Sequence, residues 1–326
     1  MRRLLRMLLL LVLLAALGAG GVAWWGWRAY QEAGPLAAET PIVVPRGGTE
    51  QIGTLLAERG VLRDTRVFSA ATWLTRQAGP LRAGEYLFPA GASVEQVLSV
   101  LRTARPVQRR LTLAEGLNAR QMAALISQAE GLTGDTPSFA EGELLPETYN
   151  YLWGDSRAVL VRRAGAAMRE TLDRLWKERA EGLPLASARE ALVLASIVER
   201  ETGQKEERAH VAGVFVNRLK RGMMLQSDPT VAYAAADGGT LDRPLSRADL
   251  ERDHPFNTYR IRGLPPGPIA SPGVEAIRAV LQPMDTDDLY FVADGTGGHA
   301  FARTLEEHNR NVARWRAIER AKAGGQ

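Results

Sequence analysis

Residues Met7 to Trp27, "MLLLLVLLAALGAGGVAWWGW", run for 21 residues without a charged side chain. Such a stretch cannot be left in water. As a helix rising about 1.5 Å per residue it spans roughly 30 Å, the hydrocarbon thickness of a bilayer. Trp24, Trp25 and Trp27 gather at its far end, where an interfacial aromatic belt sits, and Arg2, Arg3 and Arg6 precede it. Basic residues stay on the cytoplasmic side. The sequence therefore predicts a cytoplasmic basic cap over 1–6, a single transmembrane helix over 7–27, and the rest of the chain on the other face. The alternative is a cleaved signal peptide with "ALGAGG" near the cut. The apolar run is long for that and the tryptophans are out of place, so an uncleaved anchor is preferred.

The 326 residues are 45% hydrophobic and 24% charged, ordinary values for a chain that builds its own core. Length allows one or two domains. The net charge is +4, and the three N-terminal arginines hold much of that excess. No other like-charge block suggests a nucleic-acid partner; "RPVQRR" (Arg105–Arg110) reads as a linker. Cysteine is absent, which excludes disulfides and thiolate chemistry. The four histidines show no close ligand spacing, so no metal site is expected.

The rest reads as α+β. Residues 28–40 form a tether. Residues 41–106 form a small α+β subdomain, with "GEYLF" a strand and Ser93 the N-cap of a helix carrying Val94, Val97, Leu98 and Leu101. Residues 107–326 form a larger mixed α+β domain. It has a strand and helix in "RRLTLAEGLNARQMAALIS", a long amphipathic helix over about 156–180, and further helices over 187–202 and in "HVAGVFVNRLKRGMML". Loops and short elements follow Gln226.

The chemistry concentrates in "LASIVERETG" (Leu194–Gly203). An almost wholly apolar helix ends in Glu199-Arg200-Glu201. Residues three, four and seven before Glu201 share its face: Val198, Ile197 and Leu194. The face of Glu199 carries Ser196, Ala195 and Leu192. The bulkier stripe lies under Glu201, and burial disfavours a charged carboxylate, so a raised pKa and a general acid are expected there. The two carboxylates point about 160° apart at 100° per residue. One is then catalytic and the other structural, with Arg208 a candidate partner for Glu199. The plainer reading, that both mark the wet end of a core helix, stays open on pattern alone. The loops "QSDPT" and "FNTYRIRGLPPGPIASPG", stiffened by prolines, supply groups suited to sugar hydroxyls: Gln226, Ser227, Asp228, Asn257, Tyr259 and Ser271. His299 in "GTGGHAF" is the most interesting histidine. Ser196 lacks a nucleophile elbow and reads as core.

With "LASIVERETG", "ERAHVAGVFVNRL", "LQSDPTVAY", "LSRADL", "FNTYRIRGLPPGPIASPG" and "YFVADGTGGHAF" in this order, the chain resembles the YceG-like family of endolytic murein lytic transglycosylases. "LRAGEYLF" and "SVEQVL" resemble the LysM-like subdomain of that family. The resemblance implies a single-pass inner-membrane enzyme with a periplasmic catalytic domain. It would cut peptidoglycan glycan strands between N-acetylmuramic acid and N-acetylglucosamine, leave 1,6-anhydro ends, and have peptidoglycan synthases as possible partners. The family's catalytic glutamate falls on the second Glu of "VERET", Glu201. Substrate contacts are then expected from Gln226, Ser227, Asp228, Asn257, Tyr259, Ser271 and His299. "EGELLPETYNY" stands where many relatives are richer in aromatics. One acid suffices for such a reaction, without metal or organic cofactor.

Two other readings compete. A second carboxylate (Glu199, Glu147, Asp228 or Glu207) would make the chain a two-carboxylate muramidase, a hydrolase. A non-catalytic glycan-binding scaffold anchored in the membrane is the other.

Overall fold

The structure is a computed structural model in which residues 2–323 are described; Met1, at the head of the basic cap, and residues 324–326 lie outside the described residues. The fold is mixed α+β: twelve α-helices and three two-stranded sheets among the described residues. It comprises two compact units. One runs through Arg109 and adds Tyr151–Gly154; the other holds Arg110–Asn150 and the chain from Asp155 onward.

The first unit opens with α1 (Arg2–Gln31), whose Leu5–Gln31 portion has a mean hydropathy of 2.3 and no buried residue, as fits a membrane anchor. It runs one turn beyond the expected span. Next come β1 (Thr40–Val44), α2 (Thr49–Glu58), α3 (Thr65–Leu74), β2 (Gly84–Phe88) and α4 (Val94–Thr103). β1 and β2 pair antiparallel, with Ile42 opposite Tyr86. Side chains alternate across a strand, so Ile42 and Val44 of β1 both face inward, against Leu56, Phe68, Phe88, Leu98 and Leu101. Ser93 caps α4, as expected, and Gln96 completes a full capping box with it. Glu85, buried in β2, is held by two hydrogen bonds from Arg109 at 2.7 and 3.0 Å.

The second unit holds β3 (Arg109–Thr112) and its partner β4 (Thr148–Tyr151) but for the end residues Arg109 and Tyr151, then α5 (Ala119–Gln128), α6 (Arg157–Lys177), α7 (Ala188–Glu201) and α8 (Arg208–Lys220). It continues with α9 (Asp228–Ala235), α10 (Arg247–Glu251), α11 (Val274–Leu281), the antiparallel hairpin β5 (Tyr290–Ala293) and β6 (His299–Ala302), and α12 (Leu305–Ala323). α7 is the axis of its core. Ser187 caps its start, and every residue from Ala191 to Val198 is buried. α6, α8, α9 and α11 surround it. That all-round burial explains why the sequence of α7 is apolar on all faces rather than on one stripe.

The proline-rich segment after Phe256 is a packed strap rather than a surface loop. Pro265 and residues 267–273 are buried. The hydroxyl of Ser196, in mid-α7, accepts the Ile269 N–H at 3.0 Å and donates to the Val193 carbonyl. The expected core role of Ser196 thus includes pinning this strap.

Candidate active site

Glu201 is the last residue of α7, and the chain turns extended at Thr202. The helix delivers the carboxyl to a partly exposed position where, among the described residues, no ion pair or regular hydrogen bond reaches it. Burial pushes its pKa up to about 7; the Asp228 charge adds to the rise, and Ser227 and Arg218 oppose it. The negative end of a helix axis also disfavours a carboxylate there.

The opposing wall is the turn from Gln226 into α9. Gln226 sits at φ +51°, a left-handed conformation uncommon for a residue with a side chain. The turn is held by a buried pair of threonines. Thr258 Oγ1 accepts the Ser227 N–H at 2.9 Å, Thr230 Oγ1 donates to the Ser227 carbonyl at 2.6 Å, and the two hydroxyls lie 2.8 Å apart. Gln226 N–H donates to the Thr258 carbonyl. Ser227 Oγ is buried yet makes no hydrogen bond of regular geometry. Asp228 is exposed, and its Oδ1 accepts the Tyr259 hydroxyl at 2.7 Å. Burial, then Asp228 and Glu201, keep the Tyr259 phenol protonated well above its ordinary range.

Arg218 on α8 closes this group. It shares a helix face with the buried Val211, Val214 and Phe215. Its Nε donates to the Leu289 carbonyl at 2.6 Å, and its Nη1 to the Leu225 carbonyl at 2.8 Å and toward Gln226 Oε1 at 3.4 Å. The guanidinium lies over the Tyr290 ring at 5.2 Å. Sequence reasoning missed this residue. The signal was present: an arginine on the apolar stripe of "VAGVFVNRL" must carry its charge into the interior.

Glu199 occupies a separate environment, as the 160° offset requires. It forms the expected ion pair with Arg208 at 2.9 Å and accepts the Gly273 N–H at 2.9 Å. Burial raises its pKa, while Gly273 and Arg208 act against that. A Cβ at position 273 would fall where the Glu115 carboxyl lies, so a larger residue there has to displace that side chain.

The structure brings Ser227, Asp228 and Tyr259 to Glu201, and sets Gln226 against Arg218, but does not bring the other expected contacts there. Asn257 is fully buried, and its Nδ2 donates to the Asp249, Leu250 and Arg252 carbonyls while Oδ1 accepts the Tyr259 N–H. An amide so saturated has nothing left for a sugar; it shapes the turn carrying Tyr259. Ser271 is buried against Met122, its backbone tied to Gly116 and Leu117. His299 is locked to Glu207 by a ring contact of 2.7 Å and an N–H bond of 2.9 Å. That also commits Glu207, one of the candidate second carboxylates. Glu147 is exposed just before β4 and is not among the groups acting on Glu201. A half-buried carboxyl outside the expected set, Glu141, accepts the Ala119 N–H and the Tyr233 hydroxyl, its pKa raised by burial. Tyr233 lines a small cleft with Arg200, Pro229 and Ile269, one residue along from Asp228.

Residues 42–314 match the YceG-like family. The chain belongs to that family. Among its relatives, an endolytic murein transglycosylase of Bacillus subtilis is 31% identical over 302 residues, covering 82% of each chain. A protein of the same name from Streptococcus pneumoniae is 31% identical over 321 residues; 83% of this chain matches 57% of that one, so the chain spans little more than half its length. The crystal structure of a YceG-like protein of Listeria monocytogenes aligns with a TM-score of 0.53 at 27% identity, covering 83% of this chain and 98% of that one. The fold described above is therefore the family's fold, with α7 and its terminal glutamate inside the matched span.

Proposed function

We propose that this chain is an endolytic murein lytic transglycosylase with Glu201 as its single acid and base. One observation carries the assignment: an unpaired, half-buried carboxyl whose pKa rises to about 7, facing polar groups held rigidly on another element. Near neutral pH such a group is populated in both protonation states, as a proton donor that must later become an acceptor requires.

The reaction balances on one proton. Protonated Glu201 donates to the glycosidic oxygen as the bond from C1 of N-acetylmuramic acid to that oxygen breaks. The resulting carboxylate accepts the proton of the muramyl 6-hydroxyl as its oxygen bonds to C1. The product is a 1,6-anhydro ring and no water is consumed. Ser227 Oγ, free of other bonds, and the Tyr259–Asp228 pair are placed to orient the sugar, and Arg218 stabilises the carboxylate formed midway. Asp228 is engaged by Tyr259, which favours an orienting role over that of a hydrolytic second carboxylate.

The wider assignment follows. α1 is a single-pass anchor in the inner membrane with Arg2, Arg3 and Arg6 on the cytoplasmic side. Residues 41–106 are a LysM-like subdomain and 107–326 a periplasmic catalytic domain acting on peptidoglycan glycan strands, with synthases as candidate partners. The test incubates the full chain in detergent with uncrosslinked glycan strands and identifies the new ends by mass spectrometry. Ends one water lighter than a reducing sugar, formed by wild type and not by Glu201→Gln, are expected. Reducing ends would establish a hydrolase, and no cleavage by wild type would favour the scaffold.

A further inference from the structure

The first unit carries an apolar surface that glycan chemistry does not use. α3 lies beside the last turns of α1, and between them runs a groove of about 740 Å³. One wall is Val22, Gly26 and Tyr30, spaced by four on α1; the other is Val67, Ala71 and Leu74, spaced by four and three on α3. Gly26 and Ala71 leave a gap where larger residues would close the helices together. At the open end of α3, Trp73 and Leu74 are 64% and 69% exposed. Soluble surfaces seldom group such residues without a partner.

Its place in the fold identifies the occupant. The α1 wall begins inside the apolar run and passes Trp24, Trp25 and Trp27, so the groove opens at the depth where headgroups meet acyl chains. The charges around it are mainly basic. Arg63, Arg66 and Arg76 are exposed, and Arg76 lies over the Trp73 ring at 4.7 Å. The nearby Asp64 is occupied in capping α3 through the Arg66 N–H. Apolar side chains flanked by arginines match a leaflet containing anionic phospholipid.

We propose that the α1–α3 groove takes phospholipid acyl chains and seats the first unit on the bilayer, with Trp73 and Leu74 immersed and the arginines on headgroup phosphates. This rests on the reading of α1 as a membrane anchor. The absence of cysteine makes single labels unique. Leu14→Cys, Leu74→Cys and Leu125→Cys, each carrying a small fluorophore, are placed in full chain in nanodiscs of phosphatidylethanolamine and phosphatidylglycerol. The label at 74 should lose most of its quenching by aqueous iodide relative to 125, and should be quenched by acyl-brominated lipid, as at 14. A label at 14 quenched by bromolipid with 74 as open to iodide as 125 overturns the groove and leaves the anchor standing. Labels at 14 and 74 both open to iodide overturn both. A label at 74 shielded from iodide yet indifferent to bromolipid also overturns it, in favour of a protein occupant.

Discussion

Replacing Glu201 with glutamine should stabilise the chain, and by an amount that depends on pH. The folded state holds this carboxyl at about 7, against an ordinary 4.5. A raised carboxyl pKa means that the folded state prefers the neutral form. Its contribution is fully present below about 4.5 and is lost as pH rises through about 7. The gap of about 2.5 pKa units corresponds to roughly 3 kcal/mol once the group must be charged. Glutamine has the same shape and never ionises. The advantage of Glu201→Gln should therefore be under about 1 kcal/mol near pH 5 and about 3 kcal/mol near pH 8.5. In a unit of this size, about 3 kcal/mol moves the melting midpoint by roughly 6–12 °C. The assay is thermal unfolding of the full chain and the variant, in the same detergent, at both pH values. A difference equal at the two pH values would refute the reasoning, because it would mean that the carboxylate has a partner and carries no burial penalty. A variant less stable than wild type at pH 8.5 would do the same.

Other outcomes follow from the same geometry. Cleavage by wild type should fall as pH rises above about 7, when the donor is lost, and a pH–rate profile checks this. Asp228→Asn removes a charge that raises the Glu201 pKa, so that alkaline limb should move to lower pH. Glu199→Ala leaves Arg208 buried without its closest partner and the Gly273 N–H without an acceptor; a loss of roughly 3–5 kcal/mol in denaturant unfolding is expected. Asn257→Ala strips three carbonyls of their donor and should cost about 1–3 kcal/mol. Because Asn257 Oδ1 also accepts the Tyr259 N–H, the soluble fraction of that variant should show a raised KM as Tyr259 loses its fixed position.

The helices of the second unit up to α8 were legible because period and capping agreed; after Gln226, where loops and short elements were expected, the structure instead has α9, α11 and the 19-residue α12. Ser187, the apolar run to Val198 and the turn after Glu201 defined α7, and a face count separated the environments of its two glutamates. Ser93 and "GEYLF" were equally plain. The segment from Asn257 to Gly273 was not. Its prolines and polar groups look like an exposed binding loop, yet polar residues without a period leave open whether they face water or satisfy buried backbone. Asn257 does the latter, and Ser271 turns its hydroxyl inward onto the Met122 sulfur. Only tertiary contacts could show that, since the carbonyls bound by Asn257 lie on a neighbouring turn. α3 was missed because "TRVFSAATWL" buries Phe68 and Ala71 but exposes Trp73 and Leu74, blurring the expected stripe. Arg218 shows the opposite case: the pattern was there, and its meaning lay in the charge rather than in the period.

The termination of α7 at Glu201 limits how this protein can vary. Glu199 and Glu201 are chemically identical and two residues apart, and only rotation about the helix axis assigns one to an ion pair and the other to an open position. One inserted residue anywhere between Ser187 and Glu199 would turn both by about 100° and move both by about 1.5 Å along the axis. An insertion before Ser196 would turn that pin as well and release the strap at Ile269. Length variation tolerated in the connections around α7 is thus forbidden within it: the helix is a fixed-length gauge, and homologous chains should align through it without a gap.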